Sequence, residues 1–157
     1  MKTAVSTQQV NPTGMRVFMG TITGGGDLHD ALAQTAVAHQ ITTATFDLLG
    51  GLHAATFTAY DFAKQERLPP IVLERPLEIV SGHGTISLLD SAPHVHMHLS
   101  VSFRDAAYPH GIGLVGGHVA HAIPFAVEFT LTAYDGAPIH RALDEKTGLK
   151  LWDCGNI

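Results

Sequence analysis

A single cysteine, Cys154, among 157 residues leaves no intrachain disulfide and no cysteine-built zinc ribbon to hold this chain together. Charge is scarce too, with Asp, Glu, Lys and Arg making up 15% of residues and aromatics only 7%. Lys and Arg number 9 against 14 acids, a formal charge of −5, so the basic excess by which free DNA binders neutralise phosphate is missing. No run approaches the roughly 18 apolar residues of a membrane-spanning helix. The opening MKTAVSTQQVNPTG is polar beyond its first residues and has no apolar signal-peptide core, which points to a cytoplasmic protein. Internal repeats, low-complexity segments and domain linkers are absent as well.

What is present is apolar: 45% of residues are hydrophobic, the reverse of the balance in a disordered chain. The length suits one domain with a real core. With so few charges to cover it, part of the surface is expected to lie against further copies of the chain. Residues 1–14, closed by Asn11-Pro12-Thr13-Gly14, read as a flexible arm, residues 15–152 as the domain, and 153–157 as a tail. Met15 to Thr23 predicts a strand. The glycines Gly24 to Gly26 break it, and Asp27 is placed to cap a helix over residues 28–39, where Leu28, Ala31, Leu32, Thr35 and Ala36 recur at helical spacing. The triple glycine lacks the Gly-Lys-Ser/Thr ending of a phosphate loop and reads as a strand-to-helix turn.

Strands are then expected at ITTATFDLL, at LHAATFTAYDF beyond Gly50-Gly51, at PLEIV, at GTISLL, from His94 to Phe103, and from Phe125 to Tyr134. Lys64 to Pro70 reads as a surface loop, and the chain beyond Asp135 as mixed. Many strands and one early helix predict an α+β fold: a compact single domain, mainly antiparallel β-sheet, with one main helix packed on it.

The 11 histidines outnumber Lys and Arg together, and histidine is the commonest metal ligand. In an extended strand, His94, His96, His98, Ser100 and Ser102 share one face, while Val95, Met97, Leu99, Val101 and Phe103 share the other. The second face belongs to the core, and the first aligns three imidazoles. Neighbours on it are about 6.6 Å apart, close enough for two rings to converge on one ion, since zinc–nitrogen bonds are about 2.0–2.1 Å. A third ligand is expected from Gly116-Gly117-His118, where paired glycines let the backbone pass close to a neighbouring strand. The expected metal ligands are therefore His96, His98 and His118, with zinc as the metal. His94, or His121 if its segment is helical, would add a fourth, and a neighbouring subunit is another source. His29, His39, His53 and His140 read as ordinary structural histidines, and His83 and His110 as loop residues. Glu128 lies opposite the apolar Phe125, Val127, Phe129 and Leu131. It is either solvated or a carboxylate near the metal, serving as an imidazole partner or catalytic proton carrier. Glu78 poses the same question.

His96-Met97-His98 followed by Gly116-Gly117-His118 and Glu128 resembles the plants-and-prokaryotes-conserved (PPC) domain. Gly26-Asp27-Leu28 is similar to that family's entry to its helix, and Pro76-Leu77-Glu78-Ile79-Val80 with Gly82 and Gly84 to its Glu-Ile strand and glycine turn. The resemblance spans roughly residues 15–152. It implies an α/β domain around an antiparallel sheet, assembled as a homotrimer, and in plants joined to AT-hooks that bind DNA. No Arg-Gly-Arg-Pro hook occurs here, so DNA binding transfers poorly. The histidine arrangement is also similar to the zinc site of acetolactate decarboxylase, where a metal polarises a small 2-keto or 2-hydroxy acid. Two functions follow as expectations. One is a zinc-binding homotrimer whose three-histidine site takes a small anionic or carbonyl ligand, as a zinc-dependent lyase or hydrolase if it is an enzyme. The other is a DNA-associated regulatory or interaction module without catalysis.

Overall fold

Alternation decides the core. Val95, Met97, Leu99, Val101 and Phe103 are all buried, as the period-two pattern predicts, each contributing about 1.5–3 kcal/mol of apolar transfer. The computed structural model describes residues 13–155; residues 1–12 of the expected arm and 156–157 of the expected tail lie outside them. The elements run β1 (Met15–Thr23), α1 (Leu28–Ala38), β2 (Ala44–Thr58), β3 (Tyr60–Asp61), β4 (Glu66–Arg67), β5 (Ile71–Leu73), β6 (Leu77–Leu89), β7 (Ala92–Arg104), β8 (Ile112–Tyr134), β9 (His140–Asp144) and β10 (Leu149–Asp153).

The strands are longer than the sequence pattern predicts. The two segments expected on either side of Gly50-Gly51 are one strand, β2, with a register shift between Leu48 and Gly50. Gly50 takes φ +123°, and a Cβ there would collide with the Ala126 carbonyl oxygen. The glycine therefore lets β8 pass close to β2 instead of ending the strand. PLEIV and GTISLL likewise join in β6, and the segment from Phe125 is only the second half of the 23-residue β8. Beyond Asp135 the chain forms the β9–β10 hairpin.

Eight strands form one sheet in the order β10-β9-β6-β7-β8-β2-β5, with β1 on β8. Because β2 also pairs with β6, the strands β2, β6, β7 and β8 close into a ring, which removes most of the exposed sheet edge. Pairing is antiparallel throughout except for a parallel bridge between Leu88 and His140, so the sheet is mixed by that one contact. A single core runs through the ring and takes in Leu28, Leu32 and Ala36 from one face of α1.

Where α1 docks follows from β8. Residues 112–118 of β8 pair with β7 and residues 126–134 with β1, leaving the edge between them without a strand partner among the described residues. The helix start occupies that gap. Asp27 caps α1 by accepting from the His29 amide through Oδ1 (2.7 Å), while its Oδ2 accepts from the Ala122 amide (3.2 Å). One carboxylate thus closes both a helix end and a sheet edge. Among the described residues no helix is long and apolar enough to cross a membrane.

Candidate metal centre

The β7–β8 register sets His98 directly opposite His118. Residues directly opposite in an antiparallel pair point to the same face, so His118 joins the row that β7 already presents. The close approach depends on Gly116, where a Cβ would press on the Leu99 carbonyl and the Ser100 Cα. Gly116 thus does what the sequence pattern assigns to the glycine pair, whereas a Cβ at Gly117 would make only an ordinary contact with the Thr58 carbonyl.

One ligand nitrogen from each of His96, His98 and His118 lies within 4.8 Å of the other two. His96 Nε2 and His118 Nδ1 are 3.0 Å apart, and the three ring centroids are separated by 4.9–5.4 Å. Tetrahedral zinc with bonds of 2.0–2.1 Å needs its ligand nitrogens about 3.3 Å apart. Small ring rotations reach that from the observed spacing, so the donor set fits a metal ion. The protonation state fits too. Burial pushes His96 down to about 4, helped by the charges of His118, Arg141, His98 and His94. Burial pushes His118 to about 4 as well, with Arg67 and His98 adding to it. His98 shifts the same way through burial and the charge of His83. At neutral pH the rings are neutral, the form that binds metal.

Among the remaining histidines His83 and His121 differ from their sequence reading, and His110 lies in the loop expected of it. His94 is on the same face, across from Ser87, but is outside the three-nitrogen cluster. His121 is in strand β8, not in a helix, and pairs with Asp27 instead of the triad. Asp27 also contacts His29 Nδ1 at 3.1 Å. Burial works to raise the Asp27 carboxyl. That is outweighed by the Ala122 amide, the charge of His29, the His29 amide and the charge of His121, which together hold it below the ordinary carboxylate value. His83, expected in a loop, lies in β6 directly across from His98, and His110 occupies a tight turn at φ 59°. Glu128 is exposed on β8, paired with Leu49 and Thr21, and is not among the three residues whose ligand nitrogens converge. A cleft of about 940 Å³ lined by Arg75, Glu78, Ser102, Arg104, Asp105 and Ile112 sits at the far end of β7 and includes none of the three.

Two arginines that sequence reasoning passed over flank the cluster. Arg141 reaches from β9 to Ser87 Oγ (2.8 Å) and Thr85 Oγ1 (3.5 Å), the residues opposite His94 and His96. Arg67 reaches from β4 to Thr58 Oγ1 (3.3 Å), and Thr58 is opposite His118. Nothing local in the sequence signals either: Arg141 arrives on the β9–β10 hairpin and Arg67 on the separate β3–β4 hairpin.

Solved structures share this fold. A metal-containing protein of Archaeoglobus fulgidus is 30% identical with a TM-score of 0.79, the match covering 97% of this chain and 99% of that one. A plant- and prokaryote-conserved protein of Pyrococcus horikoshii is 25% identical with a TM-score of 0.77, covering all of both chains. A candidate DNA-binding protein of Ralstonia eutropha is 25% identical with a TM-score of 0.74, covering 92% of this chain and 93% of that one. No curated protein sequence matches. The family model of the Plants and Prokaryotes Conserved (PCC) domain matches residues 9–135, and the chain belongs to that family.

Proposed function

We propose that this chain is a metal-binding protein whose His96, His98 and His118 hold one zinc ion and present it to a small anionic or carbonyl ligand. The observation that carries the reading is the convergence of three ligand nitrogens within 4.8 Å on one sheet face. The Archaeoglobus relative, 30% identical and named as metal-containing, supports it. Zinc held by three neutral imidazoles keeps its full positive charge and supplies Lewis acidity toward a carbonyl or carboxylate oxygen, the chemistry of zinc lyases and hydrolases.

The same reading makes the protein a cytoplasmic homotrimer. Its support is the apolar surface left outside the ring: Leu49, Val80 and Phe125, on β2, β6 and β8, are 59%, 61% and 63% exposed. Glu128 lies across from Leu49 on that surface. A part for Glu128 as proton carrier at the metal belongs to this same proposal.

Metal analysis of tag-free protein by inductively coupled plasma mass spectrometry tests the proposal. It predicts about one zinc per chain in the wild type and none in a folded His96→Ala/His98→Ala/His118→Ala variant. A DNA-associated regulatory role is the second reading, and it draws on the name of the Ralstonia relative. The charge of −5 weighs against it. DNA affinity that collapses on modest salt addition would mark nonspecific attraction only.

A further inference from the structure

A guanidinium drawn partly out of water needs its donors met. Arg16 and Arg75, both exposed, meet theirs with Asp135 and Asp105. Arg141 is half-buried, and among the described residues no carboxylate lies within ion-pair distance of it. Its guanidinium is instead fixed by neutral partners. Nε donates to Ser87 Oγ, one Nη to the Lys150 carbonyl (2.9 Å) and the other to Thr85 Oγ1, while the Trp152 ring centroid lies 5.9 Å away. A guanidinium carries five N–H donors, so these bonds leave two unspent on a side chain already held in place.

The position of this unspent charge is specific. Thr85 and Ser87, which hold it, are the cross-strand neighbours of His96 and His94, so Arg141 stands over the same face as the triad. Arg67 borders that face from the other side through Thr58, also without an ion-pair partner among the described residues. The permanently charged groups acting on this row are Arg141 on His94 and His96, Lys150 on His94, and Arg67 on His118. A chain of net charge −5 has thus set two arginines without an ion-pair partner, among the described residues, beside its candidate metal centre. Arg141 lies outside residues 9–135 matched by the family model, on a hairpin that carries it back to the site.

We infer that Arg141 is the anion-recognising residue of this site, and that the ligand it selects is a small carboxylate held between its guanidinium and the three-histidine centre. The inference rests on the metal-binding reading above and adds the ligand class and its partner residue. A planar guanidinium with preset donors binds carboxylate strongly because its geometry is fixed before the ligand arrives. Arg67, exposed and less constrained, contributes attraction but not register.

The test loads the full-length protein with cobalt(II), whose visible spectrum reports its ligand set, and titrates acetate at constant ionic strength set with perchlorate. Wild type is expected to show a saturable spectral change. Arg141→Gln is expected to hold cobalt at the same stoichiometry yet need about tenfold more acetate, the loss of one charge-assisted contact. Arg141→Lys, which keeps the charge without the fork, should fall between them. Arg75→Gln, at the opposite end of β7, should titrate as wild type. A wild-type spectrum that ignores acetate, or Arg141→Gln and Arg141→Lys variants that load cobalt and take acetate with wild-type affinity, overturns this inference and leaves the metal reading standing. A wild-type protein that takes up no cobalt overturns the metal reading itself.

Discussion

His96 Nε2 and His118 Nδ1 lie 3.0 Å apart across 22 residues of chain. Neither ring is placed by its own segment alone. His96 is aimed by the alternation of β7, and His118 by the β7–β8 register that sets it against His98. Two half-buried imidazoles in contact carry little charge at neutral pH, because protonating both would set like charges together in a poorly solvated place. Such a pair, with His98 as a third, is set up for a cation.

Gly116 tests whether backbone approach makes the site. Gly116→Ala should drive β8 away from the Leu99 carbonyl, costing about 1–3 kcal/mol of stability and weakening zinc binding. Gly50→Ala should destabilise at least as much, through its positive φ and the Ala126 carbonyl, while a folded fraction keeps wild-type zinc affinity. Urea unfolding paired with zinc competition titration separates the two.

Asp27 joins the helix start to the sheet edge. Asp27→Ala should lower stability by about 1–3 kcal/mol, from a lost N-cap and an unpaired Ala122 amide. The pH dependence has a definite sign. The folded-state carboxyl titrates below its ordinary value of 3.8, so its ionised form stabilises the fold above that pH. The contribution is lost as pH falls from there through the folded value. The stability gap between wild type and Asp27→Asn, followed by urea unfolding at stepped pH, should be widest near neutrality and close as pH drops below about 4.

The outward apolar surface predicts assembly. Leu49→Glu with Phe125→Glu should leave the core untouched, since both side chains are exposed, and convert a trimer to monomers in sedimentation velocity. A wild-type protein that sediments as a monomer would contradict the homotrimer.

Period-two alternation is enough to read the histidine face of β7, because burial of one face leaves the other no freedom. Asp27 was legible for a similar reason, as capping is local chemistry at a helix start. What misled was glycine. Gly50-Gly51 reads as a break between strands, yet these residues sit inside one, serving contacts with β6 and β8 that exist only after folding. The same long pairings put His83 beside His98, and His121 in a strand beside Asp27, positions no local pattern encodes. Arg141 is illegible for that reason, since its neighbour Ser87 lies 54 residues away, and Arg67 because its contact with Thr58 depends on how the β3–β4 hairpin folds back.

The most direct test of the central claim is where the metal sits. A crystal of zinc-loaded protein, with diffraction recorded on both sides of the zinc absorption edge, should give one anomalous peak per chain about 2.0–2.1 Å from a nitrogen of each of His96, His98 and His118. A peak elsewhere on the chain, or none at these three rings in a fully zinc-equilibrated crystal, would contradict it.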